Sequence, residues 1–341
     1  MGKILLEAVD LKSSYQTRFG ENVHALDGVS LKLEEGKSIG VAGESGCGKS
    51  TLAMSLMCYY YPPLCYESGR VLLEGEDITK LSRSELRSRV LGSKIAYIPQ
   101  AAMNALNPTQ KILDFIYDVM EEHRPEMSRK EVEDMAAERF QTLNLPADVL
   151  GRYALELSGG MKQRTVIAIS TILNPGVLIA DEPTSALDVT SQKIVIRLLH
   201  DLMEKGFIKS LIFITHELPR LYNVTDEIMV MYAGEIVEYG DAERMIFHAR
   251  HPYSRGLMNS IIVPEKGTRG KRLSAIPGAP PNLKHVPEGC RFAERCRFAS
   301  SACRSGRTTL RDFEGGGYRC LLEPEKLDGL FEPKGEEVDL P

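Results

Sequence analysis

The residues predict an α/β fold organised on a largely parallel sheet, and three observations carry that prediction. A short apolar stretch, Ser38-Ile39-Gly40-Val41-Ala42, runs into the glycine-rich Gly43-Glu44-Ser45-Gly46-Cys47-Gly48-Lys49-Ser50-Thr51 and on into the helical Leu52-Ala53-Met54-Ser55-Leu56-Met57. A second apolar strand, Val177-Leu178-Ile179-Ala180, ends in Asp181 and Glu182. Strand and helix patterns then alternate over residues 174–240, as parallel strands joined by crossover helices require.

The glycine stretch fits the pattern G-x-x-x-x-G-K-S/T in the one context where it has a mechanism, after a strand and before a helix. Gly43, Gly46 and Gly48 let backbone N–H groups turn inward around phosphates, the helix N-terminus adds partial positive charge, and Lys49 supplies a mobile full charge. Ser50 offers a hydroxyl to Mg²⁺. Glu44, Ser45, Cys47 and Thr51 complete the nucleotide-binding stretch, and at Cys47 any small side chain would serve. A glycine-rich turn that matches by chance is the bland alternative, and the second acidic strand argues against it. Asp181 is the expected Mg²⁺ partner, and Glu182, one residue beyond the strand, is placed to orient and polarise a water. Two adjacent acids at the end of an apolar strand are costly to bury without a cation.

Between these sites lies Leu157-Ser158-Gly159-Gly160-Met161-Lys162-Gln163-Arg164, in which Ser-Gly-Gly opens a helix and makes another anion site. A chain with its own phosphate loop has no obvious need of a second, so a partner's nucleotide is the economical explanation. This stretch resembles the signature motif of ATP-binding cassette (ABC) ATPases. The resemblance implies a RecA-like P-loop NTPase core whose two copies pair head to tail, with Ser158, Gly159 and Gly160 capping the partner's nucleotide. It carries over to Gln100, after Ile95-Ala96-Tyr97-Ile98-Pro99, as the glutamine that reaches Mg²⁺ or the water. His216, after Leu211-Ile212-Phe213-Ile214-Thr215, matches the histidine that contacts the γ-phosphate. Asp188, in Ser185-Ala186-Leu187-Asp188, matches the loop that crosses the dimer interface, and Tyr15 the aromatic that stacks on adenine. Catalysis is thus assigned to Glu182, His216 and Gln100, and Mg²⁺ to Ser50, Gln100 and Asp181.

Composition agrees with this reading. The 341 residues exceed one ordinary domain. Lys and Arg total 42 against 47 Asp and Glu, a formal charge of −5, which lacks the footprint of a nucleic-acid binder. No apolar run approaches the roughly 18 residues that span a bilayer, and Met1-Gly2-Lys3 leads straight into the strand-like Ile4 to Val9 without a signal-peptide pattern. The expectation is a chain that stays in the cytoplasm and meets a membrane through a partner. Residues up to about Gln100 read as short strands broken by glycines. From Lys111 to about Leu157 the pattern is helical and charged, with Ser128-Arg129-Lys130-Glu131 as a capped start. The boundaries expected are an ATPase domain at residues 1–260, with a helical subdomain at about 101–165, and an extension at 261–341.

The extension begins with closely spaced prolines, Ile276-Pro277-Gly278-Ala279-Pro280-Pro281-Asn282-Leu283, that bar regular helix. Gly289-Cys290 to Cys296, Cys303 and Cys320 follow, and the segment resembles the C-terminal extension of oligopeptide and dipeptide importer ATPases. Met161 and Met103-Asn104-Ala105-Leu106-Asn107-Pro108 fit the same subfamily, whereas Ala101-Ala102 departs from the acidic-proline pair common after the glutamine. The spacing C-x5-C-x6-C-x16-C lacks the paired knuckles of structural zinc. Residues 264–320 hold 12 Lys and Arg against 5 Asp and Glu, a charge that suits a 4Fe-4S cluster, which some members of the similar importer family carry. Reduced thiols, zinc and disulfides stay open as alternatives.

The resemblance implies an ATP-hydrolysing subunit of a di- or oligopeptide importer. Importers of nickel or oligosaccharides use the same ATPase type, and a nucleic-acid-associated cassette is the more distant rival. The implied partners are a second ATPase, copy or related chain, two transmembrane permease subunits and an extracellular solute-binding protein, with no nucleic acid. The implied location is the cytoplasmic face of the plasma membrane.

Overall fold

The structure is a computed structural model that describes residues 2–185, 187–259, 276–313, 315–323 and 326–327. Two sheets share the work. The smaller has four strands: β1 (Ile4–Gln16), β2 (Asn22–Glu34), β4 (Leu64–Leu73) and the short β5 (Glu76–Asp77), in the antiparallel order β2-β1-β4-β5. The expected short strands are here longer, β2 running through Gly28 and β4 through Gly69, and the pairing of β1 with β2 carries bulges, between Ala8 and Leu11 for example.

The larger sheet holds the parallel strands. β3 (Ser38–Ala42) pairs with β8 (Ser210–Thr215) on one side and β9 (Glu227–Tyr232) on the other, and β8 continues through β7 (Val177–Asp181) to β6 (Ile95–Ile98). These strands are buried on both faces, and their side chains alternate between two apolar cores. Ile179 and Ile212 point with Val41 toward the antiparallel sheet, while Leu178, Ala180 and Phe213 join the helices on the other face. Beyond β9 the sheet turns antiparallel through β10 (Glu235–Asp241), β12 (Gly316–Tyr318) and β11 (Arg311–Phe313), so that the C-terminal segment extends the same sheet.

Helices follow the expected order. α1 (Lys49–Leu56) leaves the glycine loop, and α2 (Arg83–Arg89) precedes β6. α3 (Ile112–His123) and α4 (Arg129–Thr142) lead to α5 (Gly159–Ser170). The capped start is real: Ser128 N–H donates to Glu131 Oε2 at 2.7 Å, and Glu131 N–H donates to Ser128 Oγ at 3.3 Å. α6 (Val189–Glu204) joins β7 to β8. The proline run forms no helix or strand among its described residues. Ala186, residues 261–275 and residues 328–341, parts of the predicted interface loop and extension, lie outside the described residues.

Candidate nucleotide site

The strands bring the predicted chemistry to one edge. β3, β8, β7 and β6 are neighbours and parallel, with Ala42 in register with Thr215 and Asp181 with Ile214. Their carboxyl ends therefore finish together, and the residues that follow are the glycine loop, His216, Glu182 and Gln100. Open parallel sheets bind ligands at this edge.

The loop is shaped by sterics. Gly48 has φ +107, and a Cβ there would stand 2.5 Å from the carbonyl oxygen of Ala25. No side chain caps α1 and no acid occupies its first turn, so its leading N–H groups remain for an anion. Lys49 is buried, and its ammonium donates to the carbonyls of Gly43 at 2.7 Å and Glu44 at 3.1 Å. Those carbonyls hold the charge inside the loop, where a phosphate would meet it. Burial pushes the Cys47 thiol up, so it stays neutral beside Lys49.

Glu182 is the centre of the second cluster. Its backbone sits at φ +47, a conformation that a non-glycine residue adopts only when its surroundings impose it. There Gln100 Nε2 donates to Glu182 Oε2 at 3.2 Å, and His216 Nδ1 lies 3.0 Å from Glu182 Oε1. Behind it, Asp181 is buried, and burial pushes its carboxyl above the usual range, opposed by the nearby Ser50 hydroxyl and by Tyr97. Tyr97 donates to Oδ2 at 3.2 Å, while Oδ1 has no partner. An orphaned carboxylate oxygen next to the loop serine is a position that a hard divalent cation satisfies, so Ser50 and Asp181 fit Mg²⁺. Gln100 is committed to Glu182 in this state.

A cavity of about 380 Å³ joins the parts, running from Gln100 and Glu182 past Lys49 and Ser50 to Tyr15. Tyr15 shares a 3.1 Å hydrogen bond between its hydroxyl and Thr51 Oγ1. Other predicted residues are engaged elsewhere. Ser158 caps α5, accepting from Met161 N–H at 3.4 Å, and none of Ser158, Gly159 and Gly160 lines this cavity. Asp188 caps α6, accepting from Thr190 and Ser191 N–H at 3.0 Å.

Sequence reasoning missed three supports. Tyr97 was read only as part of a strand. Gln163, just past the Ser-Gly-Gly, donates to the Pro183 carbonyl at 2.6 Å and so ties α5 to the segment after Glu182. Arg295 forks onto both carboxylate oxygens of Glu44, at 2.6 and 2.9 Å. No sequence spacing signals that last pair.

In the C-terminal segment, Cys290, Cys296, Cys303 and Cys320 line one small apolar cavity. The thiols of Cys290, Cys296 and Cys320 are pushed up, first by burial, with neighbouring cysteines adding to the effect, and Cys290 reaches about 11. The Cys303 sulfur lies 3.5 Å from Ser300 Oγ. Among the described residues, no group of three or more His, Cys, Asp or Glu stands where one metal ion could be held. The predicted cluster site therefore gathers its four cysteines without forming a set for a single ion.

The comparisons agree with the geometry. The model of the ABC transporter family matches residues 26–185, and that of the oligopeptide/dipeptide transporter C-terminal region matches residues 237–303. The chain is 40% identical over 325 residues to a dipeptide transport ATP-binding protein of Caldanaerobacter subterraneus subsp. tengcongensis, covering 94% of this chain and 98% of the relative. It is 41% identical over 291 residues to a probable D,D-dipeptide transport ATP-binding protein of Escherichia coli, covering 84% and 87%. The structure matches a dimeric ATP-binding cassette in a post-hydrolysis state bound to ADP and Pi, with TM-score 0.62 and 26% identity over 70% of this chain and 99% of the other. An ABC cassette with the fold, the phosphate loop and this C-terminal region is an ATPase, and the chain belongs to the family of ABC transporter ATP-binding subunits that carry the oligopeptide/dipeptide transporter C-terminal region.

Proposed function

We propose that this chain is the ATP-hydrolysing subunit of an ABC importer for dipeptides or oligopeptides. The observation that carries the reading is Glu182, held between Gln100 at 3.2 Å and His216 at 3.0 Å at the mouth of the phosphate-loop cavity. The names of the relatives and the matched C-terminal region support a peptide cargo, and no feature favours nickel, oligosaccharides or nucleic acid. Among the described residues no helix is long and apolar enough to cross a membrane. Permease subunits would supply the path, with a solute-binding protein delivering cargo and this chain docked at the cytoplasmic face. The domain limits we propose are an ATPase domain at 1–260, with a helical subdomain at about 101–165, and an extension at 261–341.

The chemistry assigns each residue a step. Lys49 leaves the loop carbonyls for the β- and γ-phosphates, and the N–H groups at the start of α1 take the rest of the charge. Ser50 and Asp181, with Gln100 turned toward the site, would hold Mg²⁺, which would supply charge neutralisation at the β- and γ-phosphates. Glu182 orients a water and accepts its proton as the water oxygen bonds to the γ-phosphorus and the bond to the ADP oxygen breaks. His216 holds Glu182 and meets the γ-phosphate. Ser158 to Gly160 of a second cassette, copy or related chain, would close the site, with Asp188 at the interface. Glu182→Gln should keep ATP affinity and lower turnover by about 100-fold or more, accumulating closed dimer. Unchanged turnover in that variant would sink the assignment.

The four cysteines support a 4Fe-4S cluster as a structural group. Burial pushes the thiols of Cys290, Cys296 and Cys320 up, so a bound cation would be needed to ionise them. Protein purified without oxygen should contain about four iron and four sulfide per chain, lost in Cys296→Ser. Zinc or no metal in the wild type refutes the cluster.

A further inference from the structure

The nucleotide cavity has one lining residue from outside the ATPase motifs. Leu283, from the proline-rich stretch, lines it together with Tyr15 and Ala25. These three carry no charge, whereas the other end of the cavity holds Lys49, Ser50, Gln100 and Glu182. Leu283 is half-buried and also packs against the main apolar core.

Its position is fixed from both sides. Lys284 Nζ lies 2.5 Å from Glu21 Oε2, on the turn between β1 and β2, and Asn282 Oδ1 accepts from Lys284 N–H at 3.0 Å. At the other end Arg295 Nε donates to the Pro277 carbonyl at 2.8 Å. The same guanidinium forks onto Glu44 of the phosphate loop and reaches the Tyr232 hydroxyl at 3.3 Å. Glu44 is held from below as well, its N–H donating to the Tyr253 hydroxyl at 2.9 Å. One buried arginine therefore ties the strap that carries Leu283 to the loop that takes the phosphates.

We propose that the C-terminal strap is a working part of the nucleotide site within the same chain. Leu283 forms, with Tyr15 and Ala25, the apolar seat of the nucleoside, and Arg295 is a positioning residue that sets the seat and the phosphate loop at a fixed spacing. The proposal rests on the reading of the phosphate loop as the ATP site. An apolar half-buried side chain against a base contributes through the area it covers, so its loss weakens binding modestly. An arginine that holds Glu44 acts on the whole loop.

Calorimetric titration of the full chain with ATP and with inorganic tripolyphosphate separates these roles, because only ATP carries a base. Leu283→Ser should weaken ATP by about fivefold and leave tripolyphosphate unchanged. Arg295→Gln should weaken both, and Glu44→Gln repeats that break from the core side should Arg295→Gln fail to fold. Equal ATP affinity in Leu283→Ser and wild type overturns the seat, as does an equal loss for both ligands. Unaltered tripolyphosphate binding in both Arg295→Gln and Glu44→Gln overturns the positioning role. Wild-type protein that binds neither ligand refutes the ATP-site reading itself, a separate failure from these.

Discussion

The nucleotide core and the C-terminal segment are built on opposite principles, although they meet in one sheet. The core is held by apolar strands that alternate into two interiors, and its charged groups gather at the strand ends. The C-terminal segment has an apolar cluster of its own limited, among the described residues, to Tyr318, Cys320 and Leu327 with Phe313 and Leu322. Phe292 enters the main core, with Ile276 and Leu283 packed against it, and arginines add the rest of the fastening. Arg291 reaches Asp27, Glu235 and the Ala233 carbonyl, and Arg307 reaches Asp27 and Glu235. β12 adds backbone pairing along β10, with Tyr318 opposite Glu238. The difference teaches that the tail borrows its stability. Buried ion pairs fix where it sits more than they stabilise it, because their desolvation offsets much of their attraction.

Arg291→Ala gives the largest effect on this contrast. Its side chain is 6% exposed and faces Glu235 at 5%, so truncation leaves a buried carboxylate short of a partner. The expected loss is about 3 kcal/mol in denaturant unfolding, tempered by Arg307 and Lys12, which remain near Asp27. The sign of the pH dependence follows. Despite burial, hydrogen bonding from Lys12 and the charges of Arg291 and Arg307 hold the Asp27 carboxyl below its usual value. Its contribution is present above the unfolded value of about 4 and lost as pH falls toward the folded one. The wild type should lose stability below about pH 4 more steeply than the variant. Equal acid slopes would show that Arg291 does not act through Asp27, and an unchanged midpoint would remove the arginine fastening from the comparison.

How legible each region was from sequence follows the same division. Gly43 to Thr51, Asp181 and Glu182 were readable because a phosphate site requires certain residue types at the ends of adjacent parallel strands, and strand ends show in a hydrophobic pattern, whereas Gln100 and His216 were reached only through the resemblance to ABC ATPases. The four cysteines were expected together from residue type and from the resemblance, and they do line one cavity. Arg295 and Glu44 are 251 residues apart, and no periodicity connects them. Leu283 looked like part of a connector, since proline spacing announces extended chain but not what the chain covers. Tyr97 was hidden for a different reason: a strand tyrosine is commonly core, and only its 3.2 Å bond to Asp181 gives it a site role.

Asp181→Asn probes the core on its own terms, with a smaller effect and of opposite sign. Burial, with the neighbouring Glu182 adding to it, raises the Asp181 carboxyl in the folded state, and Oδ1 is unpartnered. A raised carboxyl costs stability as pH climbs past its unfolded value, and above the folded value the cost is constant. The amide removes that cost while keeping an acceptor for Tyr97. At pH 7 the nucleotide-free variant should be more stable than wild type by about 1 kcal/mol, with the gain vanishing toward pH 3, where the wild-type carboxyl is neutral in both states. The gain comes from deleting a charge that only a cation makes useful, so Mg²⁺ with ATP should raise the melting temperature of wild type much more than that of the variant. Thermal scans at pH 7, with and without Mg²⁺ and ATP, measure both halves at once. A variant that melts lower when nucleotide-free, or that responds to Mg²⁺ and ATP as fully as wild type, would mean that the buried carboxylate is structural, and that the core, like the tail, is held by its charges.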